Sequence, residues 1–129
     1  MTNKDVIDFR DDLLVKGPCA IVAYARRKNG SRPAKDFIEN LEKSDQATLT
    51  RSFIQMANVG KINNIEKFRK LRGRIFEFKS FPRARVLCFQ IGKTWLLTHG
   101  FNKETDKTPP GQIERAEEIM GEHISLVKQ

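Results

Sequence analysis

The residues best placed to do chemistry in this chain are cations. Lys61–Lys93 holds ten lysines and arginines against two acids, whereas Met1–Gly60 holds ten against eight and Thr94–Gln129 four against six. The net charge of +8 over 129 residues is therefore the charge of one segment. A scattered excess would serve solubility. A localised one points to a polyanion or an acidic partner, with a solvated charged face as the plain alternative. Arginine offers a planar, permanently charged fork that matches phosphate. Lysine can take up a proton only where burial or neighbouring positive charge lowers its pKa. Other chemistries lack material. Two cysteines (Cys19, Cys88) and two histidines (His99, His123) do not make a Cys-rich zinc site, so no metal or cofactor is expected. The cysteines read as ordinary reduced thiols of a cytoplasmic protein.

The elements that must position these cations follow from the apolar pattern. The chain suits one domain, and at 39% hydrophobic residues with nine phenylalanines it can build a core. No apolar run is long enough to span a bilayer, and Met1–Arg10 lacks the apolar block of a signal peptide. Asp5–Val15 reads as a short helix ended by Gly17-Pro18. Ala20–Ala25 (AIVAYA) reads as a strand and Asn29-Gly30 as a turn. Pro33 opens a helix through Phe37, Ile38 and Leu41. Ser44 or Asp45 caps a second, with Leu49, Phe53, Met56 and Ala57 as its stripe and Gly60 as its stop. The two should form an antiparallel hairpin.

Beyond Gly73 the period becomes alternating. Phe76 and Phe78 face one way, and Ile75, Glu77 and Lys79 face the other. Ser80–Ala84 is a loop, Arg85–Ile91 a strand, Gly92-Lys93 a hairpin turn and Thr94–His99 a strand. Gly100–Lys107 is a loop, and Thr108-Pro109-Pro110 starts a last helix with Thr108 as its cap, carrying Ile113, Ala116 and Met120. The expected fold is α+β: a twisted, mainly antiparallel sheet of about four strands (a strand, then a helix hairpin, then a three-strand meander) closed by a C-terminal helix. The helices pack on one face, leaving the other face free.

In this order the segments KLRGRIFEFK from Lys70, RARVLCFQIGKTWLLTHGF from Arg83 and the Lys107–Pro109 run before the closing helix resemble the RelE/HigB-type toxin superfamily, especially its phage-derived branch. The positions that carry the resemblance are Leu71, Gly73, Phe76–Lys79, Arg85, Thr94–His99, Phe101, Lys103, Thr105, Lys107–Pro109 and Ile113–Glu118, with Pro33–Leu41 as the first helix. The likeness runs from about Ala20 to Glu122. It implies a RelE-like toxin domain over 19–129 behind an N-terminal extension over 1–18.

That resemblance implies the toxin of a type II toxin–antitoxin pair: a cytoplasmic endoribonuclease that inhibits translation by cutting mRNA on the ribosome, without a metal, through 2′-hydroxyl attack on the adjacent phosphate. The implied partner is a cognate antitoxin, expected to be a helix-turn-helix DNA-binding protein. Catalysis falls to Lys79 (base or phosphate clamp), Arg85 (phosphate and transition state) and Lys103 (clamp or proton delivery). RNA backbone contacts fall to Arg69, Lys70, Arg72, Arg74, Arg83 and Lys107. Glu77 reads as a salt-bridge partner and His99 as a satisfied core or rim histidine. Two alternatives stay open. One is a non-catalytic, gyrase-inhibiting toxin of the ParE-like kind. The other is a phage-derived RNA-binding protein without cleavage, to which Glu104 after Lys103 and the absence of Tyr from the last helix point.

Overall fold

The computed structural model describes residues 9–105 and 107–128. The strands are β1 (Leu13–Lys16), β2 (Ile21–Tyr24), β3 (Phe68–Arg72), β4 (Ile75–Ser80), β5 (Ala84–Ile91) and β6 (Thr94–Asn102). The helices are α1 (Pro33–Glu39), α2 (Lys43–Val59) and α3 (Pro110–Val127). The strands form one mixed sheet in the order β1-β2-β6-β5-β4-β3, antiparallel throughout except where β2 lies parallel to β6. The α+β class is as expected, but the sheet has six strands rather than about four.

The two additional strands lie where charge hides the alternation. β3 reads FRKLR, and only Phe68 of its five residues is buried. It pairs with β4 across the turn at Gly73, whose φ of 56° is open to glycine at no steric cost. β1 overlaps the end of the helix expected over Asp5–Val15, of which Asp5–Asp8 lie outside the described residues. Arg10–Asp12 make a single 3-10 turn, and Leu13–Lys16 pair with β2. Tertiary pairing overrides local propensity here. Asp12, fully buried, accepts a hydrogen bond from Arg26 (2.6 Å) and faces Arg32, which fixes the segment over the end of β2.

Helices cover both faces of the sheet, not one. α1 and α2 bury Ile38, Leu49, Phe53 and Met56 against Val22, Phe78, Val86 and Leu97. α3 buries Ala116 and Ile119 against Ile75, Leu87, Phe89 and Leu96 on the opposite face. The reason is visible in β5, where every residue from Ala84 to Phe89 is buried. A strand without a polar side needs cover on both sides. α1 lies so close to β6 that a Cβ on Gly100 would run into the Phe37 ring.

The caps differ in part from expectation. Pro33 opens α1, and Gly60 closes α2 at φ 85° with its N–H donating to the Met56 carbonyl (2.8 Å). The α2 cap, however, is Glu42, not Ser44 or Asp45. Asp45 instead accepts a hydrogen bond from Ser80 (2.7 Å). The cap of α3 is Pro109 rather than Thr108. Prolines at 109 and 110 remove backbone N–H groups that a threonine cap would serve. No described helix is long and apolar enough to cross a membrane.

Candidate anion-binding site

Residues directly opposite one another in an antiparallel pair share a face. β4 and β5 place Lys79 opposite Arg85 and Glu77 opposite Leu87, while β5 and β6 place Arg85 opposite Phe101 and Leu87 opposite His99. Arg69 of β3 stands opposite Glu77. Leu87 packs in the core beneath α3, so all of these belong to the α3 face. The face expected to be free is therefore roofed in part by α3, whose Glu118 and Glu122 are fastened to Arg27 at 2.6 Å each. Just before α3, Thr108 reaches the same face, where it meets Glu77.

Glu77 is the hub. Its carboxylate is fully buried and accepts two hydrogen bonds, from Arg69 Nε (3.0 Å) and from the Thr108 hydroxyl (2.6 Å). The Arg69 guanidinium also donates to Thr108 Oγ1 (3.3 Å), which closes a triangle. The expectation of a salt-bridge role for Glu77 is met. Thr108, read from the sequence as a helix cap, is instead a ligand of that carboxylate.

Around this one acid stand Arg69, Lys79 and Arg85. Lys79 is 8% exposed. Burial pushes its pKa down, as do Arg69, Arg85 and Lys103, against an opposing pull from Glu77. Lys79 thus releases its proton more readily than a surface lysine, as a base requires. Arg85 is 1% exposed. Burial also lowers its pKa, yet a guanidinium keeps its proton at any physiological pH. Its nitrogens donate to the carbonyls of Ala84 (2.9 Å), Ser80 (3.4 Å) and Pro82 (3.5 Å). Its Nε is buried without a hydrogen-bond partner among the described residues, and its Cζ lies 5.1 Å from the centroid of the Phe81 ring. Arg85 is thus folded into its own β4–β5 turn.

Lys103, half-buried just after β6, joins this turn through its backbone N–H, which donates to the Arg83 carbonyl (2.8 Å). The structure therefore brings Arg69, Lys79, Arg85 and Lys103 together, with the exposed Arg83 on the adjoining turn. Other expected RNA contacts lie apart. Lys70 is exposed, and its opposite number across the pair, Phe76, packs on the other face. Arg72 is paired with Glu117 of α3 (2.6 Å). Arg74 lies at the far end of β4, donating to the Gln90 carbonyl (3.1 Å). Lys107 is exposed on the loop before α3.

His99 is 1% exposed, and its ring nitrogens share hydrogen bonds with Gln112 (2.9 Å) and Thr98 (3.2 Å). Burial holds its pKa near 4. It is a neutral, satisfied core histidine, as the sequence suggests. Cys19 and Cys88 are free thiols. Among the described residues no group of three His, Cys, Asp or Glu side chains gathers that could hold a metal ion. Arg69, Lys79 and Arg85 around one buried carboxylate leave a positive excess in a water-poor setting, which favours an anion with several oxygens.

Comparison with curated proteins finds no match. The profile of the family described as "Phage derived protein Gp49-like (DUF891)" matches residues 36–121, two thirds of the chain, a stretch that contains every residue of the cluster. This chain belongs to that Gp49-like phage-derived family, a family of RelE-like toxins.

Proposed function

We propose that this protein is the toxin of a type II toxin–antitoxin pair and that it cleaves mRNA on the ribosome at the Lys79–Arg85 cluster. The observation that carries the reading is the pairing of Lys79, with its lowered pKa, directly opposite Arg85 and close to Lys103. In the reaction, neutral Lys79 takes the proton of a nucleotide 2′-hydroxyl. The freed oxygen bonds to the adjacent phosphorus as the bond from phosphorus to the 5′ oxygen breaks, and Lys103 gives that oxygen a proton. The products are a cyclic phosphate and a 5′-hydroxyl, and water returns both lysines to their starting states. Arg85 stabilises the crowded phosphorane, a role that needs its guanidinium to turn from the carbonyls of the β4–β5 turn to the phosphate. The cations supply the positive charge, so no metal is required. Arg69 and Arg83 guide the backbone. The positive charge of the cluster suits an acidic segment of an antitoxin, and the reading places the protein in the cytoplasm.

The test is a cell-free translation reaction with mRNA ends mapped, comparing wild type with Lys79→Ala and Arg85→Lys. Cutting by wild type and none by Lys79→Ala is the expected result. Intact mRNA with wild type, or equal cutting by both variants, would refute it.

One observation favours a second reading. Arg85 is sequestered by three carbonyls, and Glu104 follows Lys103. A protein that binds RNA and blocks translation without cleavage would keep such an arginine as a brace for the turn. Salt-sensitive RNA binding with unbroken message identifies that case.

A further inference from the structure

We propose that Phe81 is the platform on which a single-stranded RNA base stacks beside the reactive phosphate, an inference that rests on the RNA-binding reading above. The chain has nine phenylalanines, one tryptophan and one tyrosine. Ten of these rings are buried or half-buried. Phe81 alone is exposed, at 57%. It sits on the β4–β5 turn between Lys79 and Arg85, and the Arg85 guanidinium lies against the ring at 5.1 Å. The remaining ring surface is open to solvent.

Arg85 covers one side of the Phe81 ring, and the open side is free to take a second flat partner. An apolar protein surface is a poor fit. The other exposed large hydrophobics are Leu13, Ile54, Val59, Ile65, Ile91 and Val127, none of them on this turn. Phe81 is followed by exposed Pro82 and Arg83 and flanked by Lys79, Arg85 and Lys103. One aromatic face set among cations is the pattern that binds single-stranded nucleic acid, the cations taking phosphates and the ring taking a base. The cation against one side of the ring also strengthens the stack. A duplex keeps its bases against one another and offers the ring nothing, so Phe81 selects single strands. It does not select sequence, because every base has a π-face.

The test uses a 5′-labelled, fully 2′-O-methylated oligoribonucleotide, which binds but is not cut, as a single strand and as a duplex with its complement. Anisotropy titrations compare wild type with Phe81→Ala, Phe81→Leu and Phe81→Trp. The expected result is single-strand binding weakened about tenfold in Phe81→Ala and Phe81→Leu, retained in Phe81→Trp, and duplex binding unchanged in all three. The new tryptophan should also be quenched on adding the single strand. Single-strand binding by Phe81→Ala and Phe81→Leu within twofold of wild type would overturn the inference alone, provided Lys79→Ala weakens it. Equal losses for single strand and duplex would overturn it too. No salt-dependent binding by wild type would overturn the RNA reading itself and this inference with it. If Phe81→Ala fails to fold, by circular dichroism, Phe81→Leu and Phe81→Trp decide between the same outcomes.

Discussion

Replacing Thr108 by valine keeps the volume and shape of the side chain but removes its hydroxyl. In the folded protein that hydroxyl donates at 2.6 Å to a carboxylate with no solvent exposure and accepts at 3.3 Å from Arg69. Valine leaves one oxygen of Glu77 buried without a donor. A hydrogen bond to a charged group contributes about 1.5–3 kcal/mol, and a stranded buried acceptor costs a similar amount, so a loss of about 2 kcal/mol is expected. In a domain of this size roughly 3–4 °C accompanies each kcal/mol, which puts the fall in Tm at about 7 °C. Thr108→Ser, which keeps the hydroxyl, should fall by less than half as much. The measurement is thermal unfolding by circular dichroism, with urea titrations for the free energies. The decisive arm adds Glu77→Gln. If Thr108 serves Glu77, the two changes are not additive, and Thr108→Val costs at least ~1 kcal/mol less in the Glu77→Gln background. If Thr108 instead caps α3, its cost is the same in both backgrounds, and the assignment of this contact as the anchor of the site is refuted.

Other perturbations probe the same frame. His99 has its pKa held near 4 in the fold against an ordinary 6.5, so the unfolded chain binds more protons between those values. Stability from this group is fully present above pH 6.5 and is lost as pH falls toward 4, by up to roughly 3 kcal/mol; urea titrations at pH 7 and 4.5 should show the loss, and His99→Gln should flatten it. Lys79→Met removes a buried charge that burial and neighbouring cations disfavour, and should raise stability by about 1 kcal/mol while weakening RNA binding. A drop in Tm would contradict the placement of Lys79. Gly100→Ala should cost about 2 kcal/mol or more, because the new methyl meets the Phe37 ring, and Phe37→Leu in the same chain should recover part of it. Equal melting of wild type and Gly100→Ala would count against the close approach of α1 to β6.

Local pattern made part of this molecule legible. The alternation of Phe76 and Phe78 against Ile75, Glu77 and Lys79 holds, since the phenylalanines pack beneath α1 and α2 and Ile75 beneath α3. The short turn after β4 was enough to set Lys79 against Arg85. What escaped depends on contacts distant in sequence. β1 becomes a strand because β2 offers an edge and Asp12 finds Arg26 and Arg32. β3 is disguised by three basic residues, two of which, Arg69 and Arg72, find their partners Glu77 and Glu117 later in the chain. Thr108 meets Glu77 across thirty-one residues, a contact that the Thr-Pro-Pro pattern of a helix start does not disclose. Phe81 has nothing in its local sequence to set it apart from the buried phenylalanines, and only its exposure marks it.

The parallel pairing of β2 with β6 bears on how the chain comes into being. Ile21 has Thr94 as its partner, seventy-three positions downstream, while β3 to β6 are joined by tight turns. Loop closure over such a span is slow relative to hairpin formation. During synthesis the N-terminal strands must therefore wait until β6 has been made, and Glu77 waits longer still for Thr108. A chain cut short before Thr108 would carry the clustered cations without the hydroxyl that helps tie down their one buried acid. The site is thus among the last parts of the molecule to be completed, and an unfinished copy is a poorly assembled one.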